Sequence, residues 1–135
     1  MRCVWDSDVV SEFVRGRNAV VRRKARDYLN RYQQATISLL TKYEVRRGWL
    51  AQRANRLLTL LQAFCQQSSI LPLSESIIDR ASDLWADLRR AGQPIGDNDP
   101  VIAATALHYG LAVATRNFAH FSRIPGLAVE DWSKP

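Results

Sequence analysis

Short apolar runs alternate with stretches of helical periodicity along the whole chain. Five β-prone runs predict buried strands, and the segments between them repeat apolar residues at helical spacing. Strands that alternate with helices predict a mainly parallel sheet covered by helices, which is an α/β fold. The strands are expected at residues 3–5, 35–39, 69–72, 111–115 and 127–130, and the helices at 19–32, 42–66 with a break near Gly48, 75–90 and 100–109.

The length of 135 residues and the hydrophobic fraction of 47% match one globular domain over residues 1–135. An acid at position 6 interrupts the first apolar run before a signal peptide could form, and no stretch reaches the roughly 18 apolar residues of a membrane span. A cytosolic protein is predicted. Cys3 and Cys65 lie far apart and are expected to be buried thiols. Trp85 belongs to an apolar helical stripe and is expected in the core.

Positive charge is concentrated in the first half of the chain. Residues 1–56 contain 13 Lys or Arg against 5 Asp or Glu, whereas residues 57–135 contain 6 against 8. A basic half can attract the phosphates of a nucleic acid without regard to sequence. The same charge also suits a solvated helix face or a surface for an acidic protein, so charge alone leaves these interpretations open.

Acidic residues follow the predicted strands at points where strands end. Asp6 and Asp8 come directly after the first strand, and their spacing places both carboxylates on one side if the chain stays extended. Glu44 follows the second strand, and Asp97 and Asp99 precede the last long helix. Carboxyl ends of parallel strands meet at one edge of a sheet, so the acids are expected to converge there. Oxygen ligands favour Mg²⁺ or Mn²⁺ over zinc.

Each of these acids also has a purely structural interpretation. Asp8 or Ser7 could cap a short helix suggested by residues 9–14. The spacing from Thr41 to Glu44 fits a capping box, in which Glu44 would only satisfy a backbone N–H. Asp99 directly precedes a proline and could be a helix cap. Convergence favours the metal site, because several carboxylates at one edge repel each other unless a cation neutralises them.

Asn117 follows the fourth predicted strand and is the remaining polar candidate. It could orient a water, contact the metal or cap the following turn, and the sequence does not separate these roles. Arg46, Arg47 and Arg116 are candidate phosphate contacts.

The order and spacing of these motifs resemble the PIN-domain nucleases, and among them the VapC-type toxins of toxin–antitoxin pairs. No one motif is specific, but the resemblance covers nearly the whole chain. It rests on Trp5-Asp6-Ser7-Asp8, residues 38–44, residues 96–107, Thr115-Arg116-Asn117 followed by Phe121, and Ile124-Pro125-Gly126-Leu127 with Trp132.

The resemblance implies a three-layer α/β/α sandwich with about five strands, and a metal-dependent endoribonuclease that leaves a 5′-phosphate and a 3′-hydroxyl. It also implies an antitoxin, whose apolar segment would cover a groove near the helices, and a homodimer. Asp6, Glu44 and Asp99 match the three recurrent acids, while many members have a fourth acid where this chain has Asn117. Similar toxins cut structured RNA such as tRNA or degrade RNA less selectively. Second-tier site residues are Asp8, Asp97 and Asn117.

Three other functions compete with this interpretation. The Asp6-Ser7-Asp8 sequence also fits haloacid-dehalogenase-like phosphatases, but that mechanism needs a lysine at a position where this chain offers only Lys42, close to the second strand. His108 and His120 could serve as the acid and base of a metal-free nuclease, although His108 is expected to be structural. A non-catalytic module that binds RNA or a protein would use the acids only as caps.

Overall fold

Five short strands and seven helices make up the computed structural model, which describes residues 1–135. No helix is both long enough and apolar enough to cross a membrane. The strands are β1 (Cys3–Trp5), β2 (Thr36–Ser38), β3 (Ser69–Leu71), β4 (Ala112–Thr115) and β5 (Val129–Asp131). The helices are α1 (Ser7–Arg15), α2 (Ala19–Tyr32), α3 (Leu39–Ala51), α4 (Asn55–Gln67), α5 (Glu75–Arg90), α6 (Asp99–Tyr109) and α7 (Phe118–Phe121).

All strand pairs are parallel, as the alternation of strands and helices predicts. One ladder has the order β1-β4-β5 and the other pairs β2 with β3, while β2 packs beside β1 without a ladder between them. In the register of the first ladder, Trp5 lies opposite Ala114 and Thr115 lies opposite Asp131. The carboxyl ends of β1 and β4 therefore lie side by side, and the residues that follow them share one edge.

The core has two layers, one on each face of the strands. Cys3 and Trp5 of β1 belong to the larger cluster with residues of α1 to α4, whereas Val4 between them belongs to a second cluster. That second cluster includes Ile102 of α6 and Phe121 of α7. Successive side chains of a strand point to opposite faces, so this division follows from the pleat. Helices on both faces confirm the predicted three-layer sandwich.

The predicted helix break near Gly48 is wrong. Helix α3 continues through Gly48 to Ala51, and the chain turns at residues 52–54, where Arg53 has a φ of 52°. Val45 and Trp49 stay one turn apart and are both buried. Their burial outweighs the roughly 1 kcal/mol by which glycine disfavours a helix.

The prediction that Trp85 is buried is also wrong, since 39% of the residue is exposed. Helix α5 buries Ile77, Ala81 and Leu88, while Trp85 lies on the flank of that stripe. The guanidinium of Arg89 lies 4.7 Å from its ring centroid. Cys3 and Cys65 are buried free thiols, as predicted.

Candidate active site

Asp6 lies at the junction between β1 and α1. Its Oδ1 accepts a 2.8 Å hydrogen bond from the Ser7 N–H, and its Oδ2 accepts one of 2.8 Å from the Thr115 hydroxyl. Thr115 is fully buried at the end of the neighbouring strand β4, and Asp6 itself is only 6% exposed. Two neutral donors therefore hold a buried carboxylate at the carboxyl edge of the strands.

The expectation that Asp6 and Asp8 point to the same side through an extended chain is wrong. The extended conformation ends at Asp6, which is the N-cap of α1, and Ser7 is the first helical residue. Asp8 therefore lies in the first turn of the helix and is exposed. The alternative in which Asp8 is the cap is wrong as well, because Asp6 occupies that position.

Burial raises the pKa of Asp6 to about 7. The negative charges of Asp99 and Asp8 raise it further, while the hydrogen bonds from Thr115 and Ser7 partly oppose the rise. The ionised form of a buried carboxylate is disfavoured unless a positive charge comes close. Asp6 is thus a group that a bound cation would stabilise.

Glu44 is held in place by a residue of α1 and by the residue that precedes α6. Its Oε1 accepts a 2.8 Å hydrogen bond from the Ser7 hydroxyl, and its Oε2 accepts one of 2.9 Å from the Asn98 amide. The capping-box interpretation is wrong, because Ser38 caps α3 and Thr41 lies inside the helix. Glu44 instead projects from α3 towards the start of α1 and α6.

Asp99 is the first residue of α6 and faces the start of α7. Its Oδ2 lies 3.4 Å from Nδ1 of His120, and the same Nδ1 lies 2.7 Å from the amide nitrogen of Asn117. Asn98 occupies the N-cap position of α6, and no side chain caps the helix there. Burial raises the pKa of Asp99, and the charge of Glu44 adds to the rise, while a protonated His120 opposes it.

The structure therefore places the three predicted acids, Asp6, Glu44 and Asp99, close enough for their charges to interact. Asp99 raises the pKa of Asp6, and Glu44 raises that of Asp99. In the arrangement of the structure, no three acidic, His or Cys side chains stand close enough together to hold a metal ion. The donor chemistry of the three carboxylates fits a hard divalent cation, whereas their spacing requires side-chain movement.

The second-tier candidates lie in different places. Asn117 is in the site through its contact with His120, and its side chain makes no cap hydrogen bond. Asp8 lies at the rim of the site and pairs with Arg116. Nη1 of Arg116 is 3.3 Å from Oδ2 of Asp8 and 3.5 Å from Oε1 of Glu12. Asp97 is exposed and lines a separate cavity of about 240 Å³ with Trp85 of α5.

The three candidate arginines are also separated. Arg47 lines a groove of about 300 Å³ together with Ser7, Asp8 and Glu44. Arg46 lines another cavity of about 520 Å³ between α3 and α4. Adjacent residues of a helix point about 100° apart, which explains why Arg47 adjoins Glu44 and Asp8 and Arg46 does not.

Sequence reasoning did not identify the hydrogen-bond partners of the acids. Ser7, Thr115, Asn98 and His120 all contact a predicted acid. Ser7 and Asn98 stand directly beside Asp6 and Asp99 in the sequence, which was the available signal. His120 lies three residues after Asn117 and was considered only as part of a metal-free pair.

Parallel strands covered by helices on both faces, with acids at the carboxyl edge, define an α/β domain with an acidic site. The PIN-domain family model matches residues 3–127, and the chain belongs to the PIN domain family. The phosphatase alternative has no support from this membership.

Similar proteins carry VapC names. The chain is 35% identical over 77 residues to a tRNA(fMet)-specific endonuclease VapC of Salmonella typhimurium, which covers 57% of this chain and 58% of that protein. It is 32% identical over 83 residues to a protein of the same name from Shigella flexneri, and this match covers 62% of this chain and 63% of that protein. The matched region thus spans less than two thirds of these relatives.

Solved structures match over nearly the full length. DNA-bound VapBC from Salmonella typhimurium has a TM-score of 0.83 and 28% identity, with 98% of each chain covered. VapBC2 from Rickettsia felis bound to a promoter DNA fragment has a TM-score of 0.84, with 98% of this chain and 99% of that chain covered. The sequence identity to the Rickettsia felis chain is 22%, so this second similarity shows the fold alone.

Proposed function

We propose that this protein is a divalent-metal-dependent endoribonuclease and the toxin of a VapBC-type toxin–antitoxin pair. The observation that carries the proposal is the convergence of Asp6, Glu44 and Asp99 at the carboxyl edge of the strands, two of them with raised pKa values. Membership of the PIN family and the names of the similar VapC proteins support it. Structured RNA, with tRNA as the first candidate, is the proposed substrate, in line with the names of those relatives.

Asp6, Glu44 and Asp99 would hold the cation, with Mg²⁺ or Mn²⁺ as the candidates that suit oxygen ligands. A bound divalent cation supplies neutralisation of charge on the phosphodiester and increases the acidity of the attacking water. Thr115 and the Ser7 N–H orient Asp6, and the Ser7 hydroxyl and Asn98 orient Glu44. Partners of this kind fix the direction in which ligands present their oxygens.

RNA would approach along the groove that Arg47 shares with Glu44 and Asp8. Arg15 lines the same groove, and Arg116 stands at its rim in ion pairs with Asp8 and Glu12. These ion pairs are partly exposed, so exchanging a carboxylate for an RNA phosphate costs Arg116 little. The basic first half of the chain supports the same assignment.

The proposed partners are an antitoxin and a second copy of this chain. An apolar cavity of about 410 Å³ between α1, α2 and α4, lined by Phe13, Leu29 and Phe64, suits an apolar antitoxin segment. The exposed Ile78 and Trp85 on α5 suit a contact in a homodimer. A cytoplasmic location is part of the proposal.

Cleavage of a mixed tRNA and rRNA pool in Mg²⁺, Mn²⁺ or EDTA tests the proposal, with Asp6→Asn as the site variant. Asp83→Asn is the matched control, because Asp83 is an exposed acid on α5. We expect EDTA and Asp6→Asn each to lower the cleavage rate roughly 10²- to 10³-fold, since several kcal/mol of charge stabilisation is lost at about 1.4 kcal/mol per factor of ten. Asp83→Asn should cleave like the wild type.

Two results would count against the enzyme. Cleavage that survives EDTA would contradict the carboxylate–metal site and return attention to the histidines. RNA that is bound but never cut under any metal would favour the non-catalytic binding module.

A further inference from the structure

Tyr43 is an exposed aromatic residue on the same turn of α3 as one of the predicted acids. It directly precedes Glu44, and 57% of the residue is exposed, the largest fraction among the large hydrophobic residues of the chain. A ring of this size loses much of its hydrophobic stabilisation when it stays in water, and exposed tyrosines are enriched at surfaces that bind a partner. A flat apolar face is therefore presented to solvent beside the proposed cation site.

Arg47 covers one face of the Tyr43 ring and leaves the other open. The guanidinium carbon of Arg47 lies 4.8 Å from the ring centroid, one helical turn further along α3. A planar guanidinium stacks on an aromatic face and is attracted by its π electrons, so this contact favours one orientation of the ring. Because more than half of Tyr43 is exposed, the opposite face is open to a planar ligand.

Arg47 also connects the ring with the acidic groove. It lines the groove of about 300 Å³ that contains Glu44 and Asp8, yet it forms no salt bridge with either acid. Its N–H donors stay available for a phosphate, since a guanidinium stacked through its face still donates in its own plane. A phosphate bound by Arg47 would therefore bring a neighbouring base within reach of Tyr43.

We propose that Tyr43, backed by Arg47, is a stacking platform for one unpaired base of the RNA, next to the phosphate that is cleaved. This inference rests on the proposed ribonuclease function and adds a residue that selects unpaired nucleotides. A base inside a duplex has both faces covered by its neighbours, so only a base in a loop, a bulge or a single strand can stack on a tyrosine. Stacking accepts any base, so Tyr43 selects the unpaired state and not a sequence.

Another exposed tyrosine provides a matched control. Tyr109 is 41% exposed at the last position of α6, ten residues after Asp99, or roughly 15 Å along the helix at 1.5 Å per residue. Its ring packs against His108 with 4.9 Å between the ring centroids. Tyr109→Leu thus removes an exposed tyrosine away from the acids, as Tyr43→Leu removes one beside them.

Fluorescence anisotropy of a labelled RNA hairpin with an unpaired loop, read with the whole protein in EDTA, tests the inference without cleavage. We expect Tyr43→Leu to lower hairpin affinity roughly 5- to 150-fold, the range that corresponds to one lost base stack. Tyr43→Phe and Tyr109→Leu should stay within about twofold of the wild type. Affinity for the fully paired duplex of the same stem should be unchanged in Tyr43→Leu. The salt dependence of binding should also stay the same in that variant, since no charge is removed.

Abasic nucleotides identify the stacked base with the unmutated protein. One abasic site at a time is placed along the loop, which removes a base and keeps every phosphate. At one position the abasic site should weaken wild-type binding, and at that position Tyr43→Leu should cost nothing further, because both changes remove the same contact. The wild-type part of this test does not depend on the folding of a variant.

Each contrary result has its own meaning. A loss in Tyr43→Leu that persists on every abasic hairpin, or that is equal on the duplex, would overturn the stacking role and leave the metal-dependent nuclease intact. Light scattering that shows a monomeric Tyr43→Leu where the wild type is dimeric would also overturn it, since the ring would then be a contact between two copies of the chain. The stack needs no cation, so a wild type that cuts RNA in Mg²⁺ but does not bind the hairpin in EDTA would contradict it as well. Absence of both RNA binding and metal-dependent cleavage would overturn the proposed function too.

Discussion

Replacing Asp6 with asparagine should make the metal-free protein more stable, and more so at high pH. Burial raises the pKa of Asp6 from 3.8 to about 7, so the folded state binds a proton more tightly than the unfolded chain. For an acid whose pKa is raised on folding, stability is highest below the unfolded pKa and is lost as pH rises through the folded value. The loss therefore accumulates from about pH 4 to pH 7.

The pKa values set the size of the effect. A difference of about three units between folded and unfolded states costs about 4 kcal/mol above pH 7, of which roughly 2.5 kcal/mol appears between pH 5 and pH 8. An asparagine has no charge to desolvate, and it can keep partners at both Ser7 and Thr115. The stability gain of Asp6→Asn over the wild type should thus be about 2.5 kcal/mol larger at pH 8 than at pH 5.

Urea unfolding in EDTA at the two pH values measures this difference. Asp83→Asn serves as the control, since an exposed aspartate should change stability little and equally at both pH values. A gain that is the same at pH 5 and pH 8 would refute the reasoning, because it could not come from the ionisation of Asp6. A destabilised variant at pH 8 would show that its hydrogen bonds outweigh the buried charge.

Four further substitutions have defined expectations. Arg47→Ala should weaken RNA binding and lower the magnitude of the slope of log affinity against log salt by about 0.7 to 0.9. Arg46→Ala should leave that slope nearly unchanged, because Arg46 lines a different cavity. Fluorescence anisotropy at several salt concentrations measures both. Gly48→Ala should stabilise the protein by up to about 1 kcal/mol in urea unfolding, because a Cβ there meets no atom within 4 Å. Gly96→Ala places a Cβ 3.0 Å from Oδ2 of Asp99, so the carboxylate must shift and Mn²⁺ binding should weaken. Calorimetry measures this affinity, and an unchanged value would argue that Asp99 is not a ligand.

The parts of the fold that depend on local periodicity could be predicted from the sequence. Strands such as β1 and the bounds of α2 and α5 follow directly from apolar spacing. The turn after α3 could not, because the burial of Trp49 keeps the helix intact beyond Gly48 and no local signal marks that burial. The exposure of Trp85 likewise depends on which side of α5 packs against the rest of the protein, and that side buries Ile77, Ala81 and Leu88 but not Trp85.

The candidate site divides in the same way. The convergence of the three acids could be expected because the ends of parallel strands meet at one edge of a sheet, and Asp6 follows β1 while Glu44 lies in the helix after β2. Asp99 starts α6, which follows another helix. The role of the three acids as metal ligands stays a prediction. Their neutral partners could not be predicted, since Ser7 and Asn98 reach Glu44 across 37 and 54 residues of sequence. Only the packing of α1, α3 and α6 brings these side chains together.

The arrangement of charge links the stability of this protein to its proposed cation. Asp6 and Glu44 are held by hydroxyl, amide and backbone donors and by no lysine or arginine, while Arg116 pairs with Asp8 and Glu12 at the rim. Neutral donors orient a carboxylate without cancelling its charge, so the repulsion among Asp6, Glu44 and Asp99 persists in the folded chain. A lysine or arginine salt bridge at Asp6 or Glu44 would stabilise the fold but would compete with a cation for the same oxygens. The segregation of Arg116 from the buried acids thus keeps their oxygens available for the proposed cation at the expense of stability, and it leaves a positive charge at the rim for a phosphate of the proposed RNA substrate.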